Sequence, residues 1–321
     1  PSRRHSGLCD AAAPAGMSPR RSESGEAHPI PSTVTPSLTA SAPSRRHIIA
    51  EILLVLGVSF GISALSSILS FVDAATRPGA LGEQTAPIVT PAYERPWLDL
   101  LYQLLSFVNA VVPVALVVFL LWLPGRAPWR RLGLAVDSDR VSTVHDIAVS
   151  RGAVAATAPG RLGLRVRDVW QGLGLVALIG IPGLGLYLIG RSAGITLNVV
   201  PTALDAHWWT VPVLVLVAVR ASLTEEIIVV AYLRTRLTEL GWSVWQFVAT
   251  SALLRGSYHL YQGIGPFNGN VAMGALFGWI AVRTGRIWPL LVAHLAIDLI
   301  VFLGYPLAYA WWPGVFGATG Q

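Results

Sequence analysis

Apolar residues in this chain gather into runs of bilayer-spanning length; they do not recur with the period of a half-buried helix or strand. Seven runs are predicted as helices: 48–72, 98–123, 169–190, 208–240, 242–262, 270–283 and 287–312. The fold class read from them is all-α, a polytopic integral membrane helical bundle with about seven transmembrane helices. A signal peptide is the rival reading of the first run, but Ile48 to Val72 is too long for an h-region and no small-residue cleavage site ends it.

Residues 1–46 break this pattern. They are rich in Ser, Pro, Ala and Arg and hold almost no large apolar side chains, a composition that cannot offset the entropy of ordering. They are predicted as a disordered leader, and 47–321 as one integral membrane domain. The chain is 53% hydrophobic and 12% charged, and its loops are too short for a soluble catalytic domain.

A net charge of +6 does not signal nucleic acid, because the arginines lie in loops beside apolar runs. The partners expected are the lipid bilayer and a membrane-associated peptide or protein, with no nucleic acid. All basic residues are arginine and none is lysine, as in a high-GC bacterial genome. Cys9 is the sole cysteine, which excludes an intrachain disulfide or a thiolate metal cluster.

The loop 124–168 carries Arg126, Arg130, Arg131, Arg140, Arg151, Arg161, Arg165 and Arg167, so the positive-inside rule places it in the cytoplasm. A multi-pass cell-membrane protein with a cytoplasmic amino terminus follows. Arg234 and Arg236, then Arg283 and Arg286, mark later returns to that side. Within the loop, WRRLGLAVD and GRLGLRVRDV share an RLGL core, read as two amphipathic entries to the membrane. Pro182 and scattered glycines in the third run predict a kinked, closely packed helix.

One run is out of character. Ala218 to Leu240 contains the adjacent acids Glu225 and Glu226, and an ionisable side chain at the bilayer centre costs at least about 2.5–3.5 kcal/mol. Glu226 precedes Arg234 by about 12 Å at helical rise, which keeps the pair inside the membrane. At about 100° apart, one acid can face a cavity while the other meets a neighbouring helix. Two later runs supply partners: His259, one turn after Arg255, and His294 with Asp298 at i, i+4.

Two histidines and up to three carboxylates can activate water by general-base catalysis, or can ligate a zinc ion that lowers the water's pKa. The spacing does not choose between zinc and a metal-free mechanism; the candidate metal ligands are Glu225, His259 and His294. Gly274 and Gly278 form a GxxxG read as helix packing, and the segment Gly263 to Asn270 is read as a turn or short re-entrant link.

The order of these motifs resembles the CPBP family of intramembrane proteases, also called the CAAX protease and bacteriocin-processing or Abi family. The resemblance covers about 169–304. The family's EExxxR is matched by Glu225-Glu226 with Val230 in the arginine's place, its FxxxH by Arg255 to His259, and its HxxxN/D by His294 to Asp298. It implies an intramembrane endopeptidase in which a first-motif glutamate and His259 activate water, while His294 and Asp298 stabilise the oxyanion or help hold a metal.

The exchange of arginine for Val230, together with the new Arg255, predicts a relocated counter-ion that reaches Glu226 from the neighbouring helix, bidentately. The catalytic set read from the sequence is Glu225, Glu226, His259, His294 and Asp298, with Arg255 in support. Two other readings use the same residues: a non-catalytic immunity or scaffold protein of this fold, and a proton-coupled transporter. No inverted repeat of hydropathy supports the transporter.

Overall fold

The computed structural model describes residues 43–122, 128–136, 161–202 and 204–312. The leader up to residue 42, Cys9, and the arginines at 126, 140 and 151 lie outside the described residues. Helix α1 spans Arg45–Thr76, begun by Ser44, whose hydroxyl accepts from the His47 backbone N–H. Helix α2 is Pro96–Trp122, α3 Val166–Ser192, α4 210–239, α5 Val244–Ser257, α6 Ile264–Thr284 and α7 288–311. The protein is a helical bundle, as the apolar runs predict.

Among the described residues four stretches are long and apolar enough to cross a membrane: Arg45–Thr76, Pro96–Trp122, Val166–Ser192 and Trp288–Ala308. Of the other three expected spans, 208–240 is helical over 210–239, and the next two differ from the prediction. Helix α5 ends at Ser257, so His259 lies beyond it, before a short 3-10 turn at Leu260–Gln262. Helix α6 starts at Ile264, so GIGPFNGN is mostly helix and the reversal is confined to Gly263. Pro266 is tolerated in the first turn because no N–H is needed there. Gly263 has φ 104°, and a Cβ on it would come within 3.1 Å of the Thr196–Leu197 backbone.

The loops after α1 and α3 meet at one end of the bundle, where β1 (Thr85–Val89) pairs in parallel with β2 (Asn198–Thr202), Ala86 opposite Val199. The opposite end carries the arginines. There the two RLGL segments, read separately as membrane entries, pair with each other: the Val136 N–H donates to the Arg161 carbonyl at 2.8 Å, and Gly163 N–H to Leu134 at 3.2 Å.

Arg286 clamps this pairing. Its Nε donates to Asp168 Oδ1 at 2.8 Å and its Nη1 to the Ala135 carbonyl at 2.9 Å. Far from a simple topology marker, it is buried against a buried carboxylate. Arg236 is likewise buried, donating through Nε to Glu51 of α1 at 2.8 Å and through Nη1 to Glu239 at 2.8 Å, while Tyr232 Oη donates to the same Glu51 oxygen at 3.0 Å. These bonds fasten α1 to α4.

Helices α5 and α6 pack closely. A Cβ on Gly274 would fall 2.8 Å from Ala252 Cα and 3.3 Å from Arg255 Cδ, whereas at Gly278 the nearest atom is 3.5 Å away. The GxxxG is thus a close-packing device. The glycines of α3 are different: Gly174, Gly180, Gly183 and Gly185 meet nothing within 4 Å, because most of that helix faces outward. Only Gly172, against Val292 and Pro289, and Gly190, against Thr196, sit in tight contacts. Trp311 and Trp312 at the end of α7 are exposed, as interfacial anchors are; the Tyr309 side chain lies outside the described residues.

Gly274→Ala is expected to cost about 1–3 kcal/mol by overpacking, and Gly278→Ala clearly less, as measured by denaturant unfolding in detergent. Arg286→Ala, which strands the Asp168 carboxylate, should cost about 3–5 kcal/mol in the same measurement.

Candidate active site

The winding of α4 changes where the acids stand. From Glu225 to Tyr232 the helix is π-wound, with all eight residues buried. The Leu233 N–H donates back to Ile228 and Val230, so the turn is wider than an α-turn. Such bulges are rare and frequently occur at functional sites. Val230, four residues after Glu226 in this segment, is wholly buried in the apolar core.

Both carboxylates turn toward one guanidinium. Arg255 of α5, wholly buried, places Nη2 on Glu226 Oε1 and 3.5 Å from Glu225 Oε2. The cation therefore does reach Glu226 across the helix interface, but one nitrogen bridges two acids in place of a bidentate fork on one. Its Cζ lies 5.3 Å over the Phe277 ring of α6, which adds a cation–π contact. The Ser251 hydroxyl, one turn before Arg255, donates to the Val229 carbonyl in the π segment at 3.1 Å and holds α5 against α4.

The two acids then part company. Glu226 is fully buried and also accepts from His294 Nδ1 at 2.8 Å, so its Oε1 is shared by an arginine and a histidine. Glu225 accepts on Oε2 from the Tyr258 hydroxyl at 2.8 Å and keeps slight exposure, 7%. Tyr258 is itself buried, stacked on Phe60 of α1 with ring centroids 4.8 Å apart. In the sequence only its position beside His259 marks it.

His259 packs against Tyr258, ring centroids 4.9 Å apart, and its Nδ1 lies 3.0 Å from the Arg255 carbonyl. A carbonyl only accepts, so Nδ1 carries the proton and Nε2 keeps its lone pair in the neutral ring. Because α5 is only 14 residues, about 21 Å at helical rise, its end stops short of a full crossing and presents this turn inside the bundle. A fifth span running straight and perpendicular over 242–262 would instead carry His259 to the outer face. Asp298 stands 3.5 Å from His294 Nε2, an ion-pair distance too long for a good hydrogen bond.

Arg255, Glu226, Glu225 and His294 thus meet directly, His259 joins through Tyr258 and the Arg255 carbonyl, and Asp298 stands at the rim. Three buried atoms, Glu226 Oε2 and Arg255 Nε and Nη1, have no partner among the described residues. Buried polar atoms of this kind are ordinarily satisfied by water or a ligand group.

A metal ion does not fit this set as placed. Among the described residues no group of three His, Cys, Asp or Glu side chains is arranged to hold one. Glu226 Oε1 already has two donors, and the guanidinium touching it would repel a second cation. A further cation on α4 is Arg220, on the α-turns before the π segment, which donates to Ser106 of α2 at 2.5 Å.

No curated protein and no solved structure matches the chain. Residues 207–300, which hold every one of the residues just described on α4 to α7, match the Rce1-like family model, type II CAAX prenyl endopeptidase Rce1-like. In this segment the protein is similar to the CPBP family of intramembrane proteases, as the order of its buried motifs implies.

Proposed function

We propose that the chain is an intramembrane endopeptidase of the CPBP type, acting on membrane-anchored or amphipathic peptides that enter between its helices. The observation that carries this reading is the unequal engagement of the two acids: Glu226 is locked between Arg255 and His294, whereas Glu225 has one oxygen on Tyr258 and retains access. Glu226 then serves to hold Arg255 and His294. Glu225 is the general base.

In this mechanism Glu225 takes a proton from a water molecule as the water oxygen adds to the scissile carbonyl carbon. His259, whose Nε2 lone pair is free of its Nδ1 hydrogen bond, assists in orienting that water. The developing oxyanion is met by the unpartnered Arg255 Nη1 and by His294 in its doubly protonated form, whose Nδ1–H is given to Glu226 and whose Nε2–H is only loosely tied to Asp298. Collapse expels the amide nitrogen, which receives the proton held by Glu225. Tyr258 orients the base through its hydrogen bond, and no step requires a metal.

Val230 favours a second reading, a non-catalytic scaffold in which loss of the motif arginine marks a decayed site. The two readings separate on one pair of variants. With Arg255 as the working counter-ion, Arg255→Phe abolishes cleavage, and Arg255→Phe with Val230→Arg recovers more than the single variant. A double variant no better than the single one removes the relocation idea.

For catalysis itself, Glu225→Gln should lower hydrolysis of a farnesylated CaaX peptide or an amphipathic leader peptide in proteoliposomes by about 10²–10⁴-fold while the protein still folds and inserts, with Glu226 left to pair Arg255. Cleavage at the wild-type rate would refute the assignment. Arg255→Ala should instead destabilise the protein by about 3–5 kcal/mol, since it strands two buried carboxylates.

A further inference from the structure

At the arginine-rich end, the start of α3 and the end of α6 enclose a cavity of about 230 Å³ lined by Arg165, Arg167, Asp168, Gln171, Arg283, Thr284 and Arg286. Asp168 is the acidic side chain of this lining, and both of its oxygens are occupied: Oδ1 by Arg286 Nε, and Oδ2 by Arg286 Nη2 and the Arg165 backbone N–H at 2.9 Å. It is therefore spent as a partner for Arg167 and Arg283. The positive end of the α3 dipole adds to the field, since α3 begins at Val166.

The flanks of the cavity are apolar and face outward. Trp170, one turn beyond Arg167, is 69% exposed, and Val166 and Leu173 are exposed on the same part of α3. On α6, Arg283 lies with its Cζ 5.2 Å over the exposed Trp279 ring. Tryptophans at this position mark the headgroup level of a bilayer, and basic pockets between helices at that level take anionic headgroups. A soluble anion would have no use for the apolar flank.

We propose that this cavity is a binding site for the phosphate of an anionic phospholipid headgroup, held by Arg167 and Arg283 with the acyl chains lying along the outward face of α3. The site is independent of the peptidase reading. It would fix the depth and tilt of α3, and through the Arg286–Asp168 clamp it adjoins the start of α7, the helix that carries His294.

Native mass spectrometry of the full chain, released from micelles of equal phosphatidylcholine and phosphatidylglycerol, tests it. The wild type should retain one phosphatidylglycerol in preference to phosphatidylcholine. Arg167→Gln with Arg283→Gln should retain it about thirtyfold less, each single variant showing part of the loss. Arg45→Gln with Arg46→Gln, which removes the same charge at the exposed start of α1, should behave as wild type. Thermal unfolding in phosphatidylcholine alone should be equal for all of them. Retention by the cavity variants at the wild-type level, or an equal loss in the α1 variant, overturns the site. Inorganic phosphate bound alone as tightly as phosphatidylglycerol overturns the lipid assignment.

Discussion

A guanidinium buried in an apolar bundle is stable only if its charge is met, and Arg255 is met by two carboxylates of a different helix. The dependence runs both ways, because two acids on adjacent residues repel each other and would be costly together in hydrocarbon without that cation. Much of the surrounding architecture follows from keeping the three groups in contact. The π-wound stretch of α4 turns both acids to one side, Gly274 lets α6 approach the Arg255 stem, and Phe277 offers its face to the cation. Asymmetry enters through the second partners. His294 completes the pairing of Glu226, and Tyr258 leaves Glu225 half committed.

The pairing also explains how a glutamate pair can stand where the comparable motif places its arginine differently. The side chain at 230 is wholly buried among apolar neighbours, and valine suits that place. The charge arrives from α5 instead. A counter-ion on a separate helix ties two elements together, so charge compensation and helix packing become one constraint.

The apolar runs made the bundle legible, and so did the cost of an intramembrane acid pair, which led to Glu225, Glu226, Arg255, His259 and His294 from spacing alone. What spacing could not supply was winding. A period of 3.6 residues is assumed when a face is read from sequence, and the π-turn at Glu225–Tyr232 breaks it. Nor does hydropathy report where a helix stops inside a membrane: the run 242–262 continues apolar past Ser257, yet the helix ends there and His259 gains its place from the turn. Tyr258 was hidden because a tyrosine in an apolar run reads as packing. Arg286 read as a topology signal because its partner, Asp168, lies more than a hundred residues earlier. Long-range pairs of this kind leave no local pattern.

The account turns on the coupling between Arg255 and Glu226. A double-mutant cycle built from Arg255→Met, Glu226→Gln and their combination, read by reversible unfolding in neutral detergent, measures it without a substrate. The predicted result is a coupling of about 2 kcal/mol or more, with the double variant more stable than Arg255→Met alone. Additive effects, with a coupling near zero, would contradict the claim that this pair holds the site together.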